Sequence, residues 1–269
     1  SANITAGGPT TFCNGDSVQL TSSIAAAYKW SSGETSQSIN VKTSGTYTVT
    51  VYNSTGCSAK SSGILVTVNN KPSATITASG PTTFCSGDSV VLTTANAASY
   101  LWSSGATTKS ITVKVTGTYV VTVTNAVGCT NSSTPVVTTK KSLPSATISL
   151  SGPSTFCQGG NVVLTCSSAA SYLWSTGATS QSITATASGT YTVTATSAFG
   201  CTKKSNPMVI TVKALPTATV TPAGPTTFCN GDSVVLNANT GANLTYQWLK
   251  NNANISGANG ASYTEKTSG

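Results

Sequence analysis

The sequence has no histidine and no arginine, and only five of its 269 residues are acidic. Without histidine, the usual serine and cysteine nucleophiles lack a base, and histidine metal sites have no candidates. The acids are Asp16, Glu34, Asp88, Asp232 and Glu265, too few and too dispersed for paired carboxylates or a calcium cage. The composition therefore predicts a protein that is not an enzyme and that binds no metal or cofactor.

The charge and the hydropathy of the chain limit the classes of partner that we expect for it. Thirteen lysines produce a net charge of +8, but they are scattered. Nucleic-acid readers instead use arginine and cluster basic charge on one face, so we expect no nucleic-acid partner. A diffuse positive field favours anionic surface polysaccharide. No apolar run approaches the roughly 20 residues of a membrane span, so we expect no membrane insertion. Because the chain opens at Ser1 without a signal peptide, we expect a piece of a longer secreted protein.

The most informative feature is a strict internal repeat. The phrase Thr-Phe-Cys follows a Gly-Pro step four times at one fixed interval. Its cysteines, which we name the early series, are Cys13, Cys85, Cys157 and Cys229. A late series follows at the same interval: Cys57, Cys129 and Cys201. A period of about 72 residues predicts one small module copied along the chain. The expected modules are residues 1–70, 71–142, 143–214 and 215–269, the last one incomplete.

Each complete module holds one cysteine of each series in the same register, so the repeat predicts one disulfide within each module. The expected pairs are Cys13–Cys57, Cys85–Cys129 and Cys157–Cys201. A module of about 70 residues is marginally stable without such a staple, and persistent disulfides indicate an extracellular, oxidising location. Cys166 and Cys229 are left over. We expect Cys166 either as a small buried thiol or as a cross-link to another chain.

Strand signals fill each module, and no segment has a helical period. In module two the expected strands are 73–78, 89–93, 110–114, 118–124 and 135–139, with shorter ones between them. Short strands with turn signals every 8–12 residues are typical of a β-sandwich or small barrel. Trp30, Trp102 and Trp174 each follow an early cysteine at the same distance along the chain. We expect these rings in the core; an exposed aromatic row that stacks on sugars is the alternative.

Several of these elements together resemble a known family. The elements are F-C-x-G-D-S-V-x-L, Y-x-W-S-S-G, G-T-Y-x-V and G-C. They are similar to the bacterial immunoglobulin-like (PKD/Ig-like) repeats of surface and secreted proteins in Bacteroidota, over essentially the whole chain. The resemblance implies tandem immunoglobulin-like β-sandwich modules. Short proline-containing junctions predict that the modules form an elongated rod. Because the early cysteine precedes the second strand and the late one follows the sixth, we expect the bridge to tie loops at one end of a module.

The repeat maintains core, turn and cysteine residues, so we expect a structural role. The leading hypothesis is a structural or adhesive stalk or filament segment of a large extracellular surface protein, with neighbouring repeats as its partners. The alternative is a polysaccharide-binding accessory module, and assembly with other copies of the chain stays open. The Asp-Ser-Val steps at Ser17, Ser89 and Ser233 resemble sites that Bacteroidota O-glycosylate. Their alternative role is a turn acid before a strand.

Overall fold

A computed structural model describes residues 1–267, and all of their regular secondary structure is β-strand. The chain forms two compact units, Ser1–Leu143 and Pro144–Gly269. Among the described residues there is no helix long and apolar enough to cross a membrane. The predicted all-β class is confirmed. We keep the name module for each of the four repeats defined above.

The first unit contains the strands of modules one and two. Module one has β1 (Ile4–Ala6), β2 (Thr11–Cys13), β3 (Val18–Ser22), β4 (Ala27–Trp30), β5 (Ser38–Val41), β6 (Gly45–Tyr47), β7 (Val49–Tyr52), β8 (Ser58–Lys60) and β9 (Ile64–Asn69). Module two has β10 (Ile76–Ala78), β11 (Thr83–Cys85), β12 (Val90–Thr94), β13 (Ser99–Trp102), β14 (Ser110–Val113), β15 (Gly117–Tyr119), β16 (Val121–Thr124), β17 (Thr130–Ser132) and β18 (Val136–Lys141).

The second unit contains the strands of modules three and four. Module three has β19 (Ile148–Leu150), β20 (Thr155–Cys157), β21 (Val162–Cys166), β22 (Ser171–Trp174), β23 (Ser182–Ala185), β24 (Gly189–Tyr191), β25 (Val193–Thr196), β26 (Thr202–Lys204) and β27 (Met208–Lys213). Module four has β28 (Val220–Pro222), β29 (Val234–Ala238), β30 (Leu249–Lys250), β31 (Ala253–Asn254) and β32 (Ser262–Glu265). Every strand of module one recurs at the equivalent positions of modules two and three, so the structural period equals the sequence period.

Module one shows how the strands combine into two layers. The first layer is an antiparallel sheet in the order β1-β3-β5. The second layer consists of β4-β7-β8 and β2-β9-β6, and only Thr48 separates β6 from β7, so these are two halves of one layer. Within it, β2 pairs parallel with β9 while the other pairs are antiparallel. Modules two and three repeat this arrangement. The result is a tandem array of immunoglobulin-like β-sandwiches.

Alternating side chains from both layers form the core of each module. Along β3, Val18 and Leu20 are buried while Gln19 between them is exposed, as a period of two requires. Leu20 of the first layer packs with Trp30, Val49 and Val66 of the second in one apolar cluster. Modules two and three have equivalent clusters. Burial of these alternating residues determines which face of each strand points inward.

The tryptophans occupy the centre of the core, as predicted. Trp30, Trp102 and Trp174 are each 2% exposed. Each indole Nε1 donates a 2.8 Å hydrogen bond to a backbone carbonyl six residues later, so its polar atom is satisfied inside the module. The Tyr47 hydroxyl likewise donates to the Thr43 carbonyl at 3.0 Å. This local bond holds the chain at the start of the β6 strand, in the manner of the tyrosine corner of immunoglobulin folds.

Module four is a variant of the other three. Its sheet has the order β28-β29-β32, and β30 and β31 form a hairpin of their own. Asn251 and Asn252 have φ values of 51° and 64° in the hairpin turn, a conformation that asparagine tolerates better than most residues. Trp248 is buried and its ring centroid lies 5.7 Å from that of Tyr263. The hairpin begins directly after Trp248.

One core position differs between the modules in its chemistry. This position is the last residue of β3, β12, β21 and β29, and it pairs with the first strand of its module. Its occupants are Ser22, Thr94, Cys166 and Ala238. Cys166 is a free thiol only 1% exposed, which supports its interpretation as a buried residue and leaves it inaccessible to another folded chain. The Thr94 hydroxyl is buried and has no hydrogen-bond partner among the described residues. Such an orphaned hydroxyl costs about 1–3 kcal/mol.

Thr94→Val should therefore stabilise the protein. It keeps the shape of the side chain and removes the unsatisfied hydroxyl, so we expect the free energy of unfolding to rise by about 1 kcal/mol. The matched control is Thr93→Val, one residue earlier, which removes a 2.9 Å hydrogen bond between the Thr93 and Ser110 hydroxyls. That control should lower the free energy of unfolding. Urea unfolding of the two variants checks both signs, and a loss of stability in Thr94→Val would contradict the expectation.

Candidate functional site

In modules one, two and three the early cysteine lies beside the end of the last strand. Cys13 is the final residue of β2 and pairs in parallel register with Asn69, the final residue of β9. The chain then turns sharply through Gly15, whose φ of 104° favours glycine, and the Asp16 amide donates to the Cys13 carbonyl at 3.0 Å. Cys85 and Cys157 are placed in the same way beside Lys141 and Lys213. The early series therefore marks the C-terminal end of each complete module.

The late cysteine lies in the turn between the two strands that follow the tyrosine. In module one the Asn53 side-chain carbonyl accepts hydrogen bonds from the amides of Thr55 and Cys57, at 3.1 and 2.9 Å. In module two the Asn125 carbonyl accepts one from the Cys129 amide, also at 2.9 Å. These asparagines build the turn by replacing backbone partners. Cys57 immediately precedes β8, so it lies at the opposite end of the layer from Cys13.

This separation rules out the predicted pairing. The chain from Ser58 to Asn69 crosses the module in twelve residues, about 35 Å when extended. A disulfide needs Cα atoms within about 7 Å. The structure contains no bridge that follows the predicted pairs: Cys129 bonds to another partner than Cys85, and Cys57 and Cys157 are free thiols. The predictions of Cys13–Cys57, Cys85–Cys129 and Cys157–Cys201, and of a bridge between loops at one end of a module, are wrong.

The observed bridge joins two modules. Cys13 of module one bonds to Cys129 of module two across 116 residues of sequence, with the Cα atoms 5.6 Å apart. It connects the C-terminal end of one module to the late-series turn of the next. Cys85 and Cys201, which lie one repeat after Cys13 and Cys129, are also disulfide-bonded. Cys229 is a free, exposed thiol in module four.

Two hydrogen bonds accompany the bridge at the junction of modules one and two. The Asn125 side-chain amide donates to the Asn70 carbonyl at 2.8 Å, and the Asn131 side-chain amide donates to the Pro72 carbonyl at 2.9 Å. Asn125 thus orders its own turn with one end of its side chain and binds the preceding module with the other. Cys13 pairs with Asn69, directly before Asn70, so the bridge and both hydrogen bonds restrain the chain at this junction. Sequence reasoning missed these residues because an asparagine in a polar loop carries no distinctive signal.

The Asp-Ser-Val steps lie where β3, β12 and β29 begin, and the valine is the first residue of the strand. Ser17, Ser89 and Ser233 are exposed, and the valine that follows each of them is buried. The alternation turns the hydroxyl to solvent and the valine to the core. Module three has the exposed Asn161 in place of the serine.

The carboxylates of Glu34 and Glu265 interact with residues close to them in the chain or in the same module. No group of three or more histidine, cysteine, aspartate or glutamate residues that could hold a metal occurs in residues 1–267. The single ion pair of that region joins Lys250 to Glu265 at 3.4 Å. Hydrogen bonds from the amide and then the hydroxyl of Thr267 hold the pKa of the Glu265 carboxyl below its usual value. A bond from the Ser32 side chain lowers the pKa of Glu34 in the same way. Both carboxylates order the turns in which they lie.

Comparison with known proteins adds no family. No family model matches the sequence, and no curated protein matches it. Solved structures with similar segments include a 1.5-MDa bacterial ice-binding adhesin, 15% identical, covering 80% of this chain and 98% of that chain at a TM-score of 0.30. They also include the Bacteroides ovatus protein SGBP-B in complex with a mixed-linkage heptasaccharide. It is 16% identical, and the match covers 82% of this chain and 71% of that chain at a TM-score of 0.21. Extracellular domains 3–5 of Drosophila OTK are 13% identical, and the match covers 76% of this chain and 93% of that chain at a TM-score of 0.31. These TM-scores are too low to support an argument about function.

The bridge can be checked by non-reducing peptide mapping. We expect a peptide pair that joins Cys13 to Cys129, and alkylation of Cys57 in the native protein. Cys13→Ser with Cys129→Ser should lower the free energy of unfolding by about 2–4 kcal/mol, because a long covalent loop is opened. Cys57→Ser is the matched control and should change stability by less than about 0.5 kcal/mol. A Cys13–Cys57 peptide in the folded protein would contradict the assignment.

Proposed function

We propose that the chain is a structural segment of an extracellular protein, a stalk or filament that spaces or projects another part of that protein. The observation that carries this proposal is the Cys13–Cys129 bridge between two modules. A bridge inside one module would stabilise only that module. A bridge across a junction instead holds two modules to each other, which is useful where a chain transmits tension.

The position of the bridge defines how the first unit would carry a load. When the first unit is pulled at its own two ends, Ser1 and Leu143, force enters near Cys13 and leaves near Cys129 through the S–S bond. Residues 14–128 lie inside the covalent loop and bear no tension. The loop includes β3 to β9 of module one and β10 to β16 of module two, which hold most of both cores. The disulfide therefore shields most of the two module cores from the applied force.

Further features support an exported, modular protein. Disulfides persist in oxidising compartments, which favours the cell surface or the medium. The cores of the first three modules are separate clusters, which supports a division into modules at residues 1–70, 71–142, 143–214 and 215–269. Small cores of this size gain from covalent staples. Only 7% of the residues are charged, so the net charge of +8 is spread thinly along the chain.

Burial of the tryptophans supports the stalk over a polysaccharide-binding module. Sugar binding by stacking needs aromatic faces at the surface. The four tryptophans are instead 2–8% exposed and lie in the module cores. Pull-down on insoluble polysaccharide tests this directly, and retention of the folded chain would favour the binding module.

We also propose that Ser17, Ser89 and Ser233 carry O-linked glycans. Their support is an exposed hydroxyl at the same place in three modules, preceded by an exposed aspartate. In a Bacteroidota expression host, we expect glycan mass on peptides from modules one, two and four. Module three, with Asn161, is the internal control and should be unmodified. Loss of the mass in Ser17→Ala would assign that site, and unmodified peptides in all four modules would contradict the proposal.

Single-molecule stretching tests the mechanical role. The bridged cysteines are separated by 116 positions in the sequence, which at about 3.5 Å each correspond to about 400 Å of chain. We expect the fully unfolded contour length of the first unit to increase by about 400 Å when reductant is added under load, because each extended residue adds its full length.

Two cysteine variants control this experiment. Cys129→Ser should show the longer contour length with or without reductant. Cys57→Ser should retain the dependence of contour length on reductant, because Cys57 is a free thiol. Equal lengths of the unmodified chain in both conditions would contradict the load path.

A further inference from the structure

The end of module one that carries Cys57 is built like the end of module two that is bridged. Cys57 occupies the same place in module one as Cys129 does in module two. Both cysteines follow a glycine of positive φ, Gly56 at 91° and Gly128 at 88°. In each module the amide of the cysteine donates a 2.9 Å hydrogen bond to an asparagine side chain four residues earlier. The backbone around Cys57 is therefore already in the conformation that accepts a bridge in module two.

The two cysteines differ in what covers them. Cys129 is bonded to module one and is completely buried, whereas Cys57 is exposed and free. Since the turn is the same in both modules, burial of Cys129 results from its partner module rather than from its own module. The exposed state of Cys57 is what this turn looks like when that partner is absent.

A depression surrounds Cys57 at the N-terminal end of module one. Its volume is about 290 Å³, and its lining includes Ser1, Ile24, Tyr52, Asn53 and Cys57. Ile24 is 90% exposed, which is costly for a large apolar side chain beside other apolar surface. In module two, Asn125 occupies the position of Asn53 and contacts the end of module one. The depression on module one thus lies at the position that, in module two, contacts the preceding module.

We propose that Cys57 is one half of a second inter-module disulfide, and that its partner is the early-series cysteine of another copy of this module joined ahead of Ser1. The end of such a module would cover Ile24 and place its cysteine against Cys57, as Cys13 is placed against Cys129. The added module would then be bonded to the late-series turn of module one, as module one is bonded to the late-series turn of module two. This inference rests on the geometry of the observed bridge and not on the mechanical role.

The bond forms by thiol–disulfide exchange with a low-molecular-weight disulfide such as glutathione disulfide. The early-series thiolate attacks one sulfur of glutathione disulfide, forms a mixed disulfide and releases one glutathione thiolate. The Cys57 thiolate then attacks the protein sulfur of the mixed disulfide and releases the second glutathione thiolate. The two protons of the protein thiols and the two electrons of their oxidation end on two molecules of reduced glutathione.

The test extends the full chain by one module. A copy of residues 73–144, carrying Cys129→Ser, is fused directly ahead of Ser1, which reproduces the native spacing because Ser1 corresponds to Ser145. In a glutathione redox buffer we expect Cys57 to lose its reactivity to alkylation. Non-reducing peptide mapping should then show Cys57 joined to the Cys85 of the added copy. The Cys13–Cys129 peptide in the same digest reports that the original modules are folded.

The control is the same fusion with Cys85→Ser in the added copy, in which Cys57 should stay fully alkylated. Reactive Cys57 in the unaltered fusion, or a Cys13–Cys57 bond, would overturn the proposal when the Cys13–Cys129 peptide is present. The unextended chain is the remaining arm. If Cys57 joins Cys157 or Cys229 of a second copy there, while it stays free in the fusion, the partner is a separate chain and the proposal is also overturned.

Discussion

The parallel pairing of β2 with β9 is the constraint on which the rest of each module depends. It completes the second layer of the sandwich and brings Cys13 beside Asn69, where the chain leaves the module. The antiparallel partner strands return the late cysteine to the other end. Each complete module therefore presents one thiol at each end, too far apart to bond to each other. A bridge between the ends of successive modules satisfies this geometry without any distortion of the module.

The junction consequently has its own structure. At the boundary of modules one and two, a covalent bond and two side-chain hydrogen bonds act on the segment around Asn70 and Pro72. The modules themselves are small, and their cores are separate clusters. Stability that a larger domain obtains from a bigger core is obtained here partly by linking neighbours. The same bond limits how far the first unit can extend, so folding stability and the proposed mechanical role depend on one interaction.

Much of the fold follows from local patterns. Alternation of Val and Leu with polar residues specified the long strands, and the burial of Trp30, Trp102 and Trp174 followed from their positions within strands. The disulfides were harder. An early cysteine has one candidate partner late in its own module and another late in the next module, and both pairings recur with the same period. A periodic sequence therefore contains no information that selects between them, and the prediction chose the shorter loop.

By itself the sequence determined the period of the repeat, the all-β class, the apolar core positions and the absence of histidine chemistry, because these are properties of composition and of residues near one another in the chain. The tertiary structure decided which cysteines bond, that Cys166 is enclosed in a core, and that Asn125 binds the preceding module. The first of those outcomes depends on the parallel contact between the second strand and the last strand of a module. That contact joins residues from the two ends of the module's sequence, and only the folded chain reveals which end of the module each cysteine occupies.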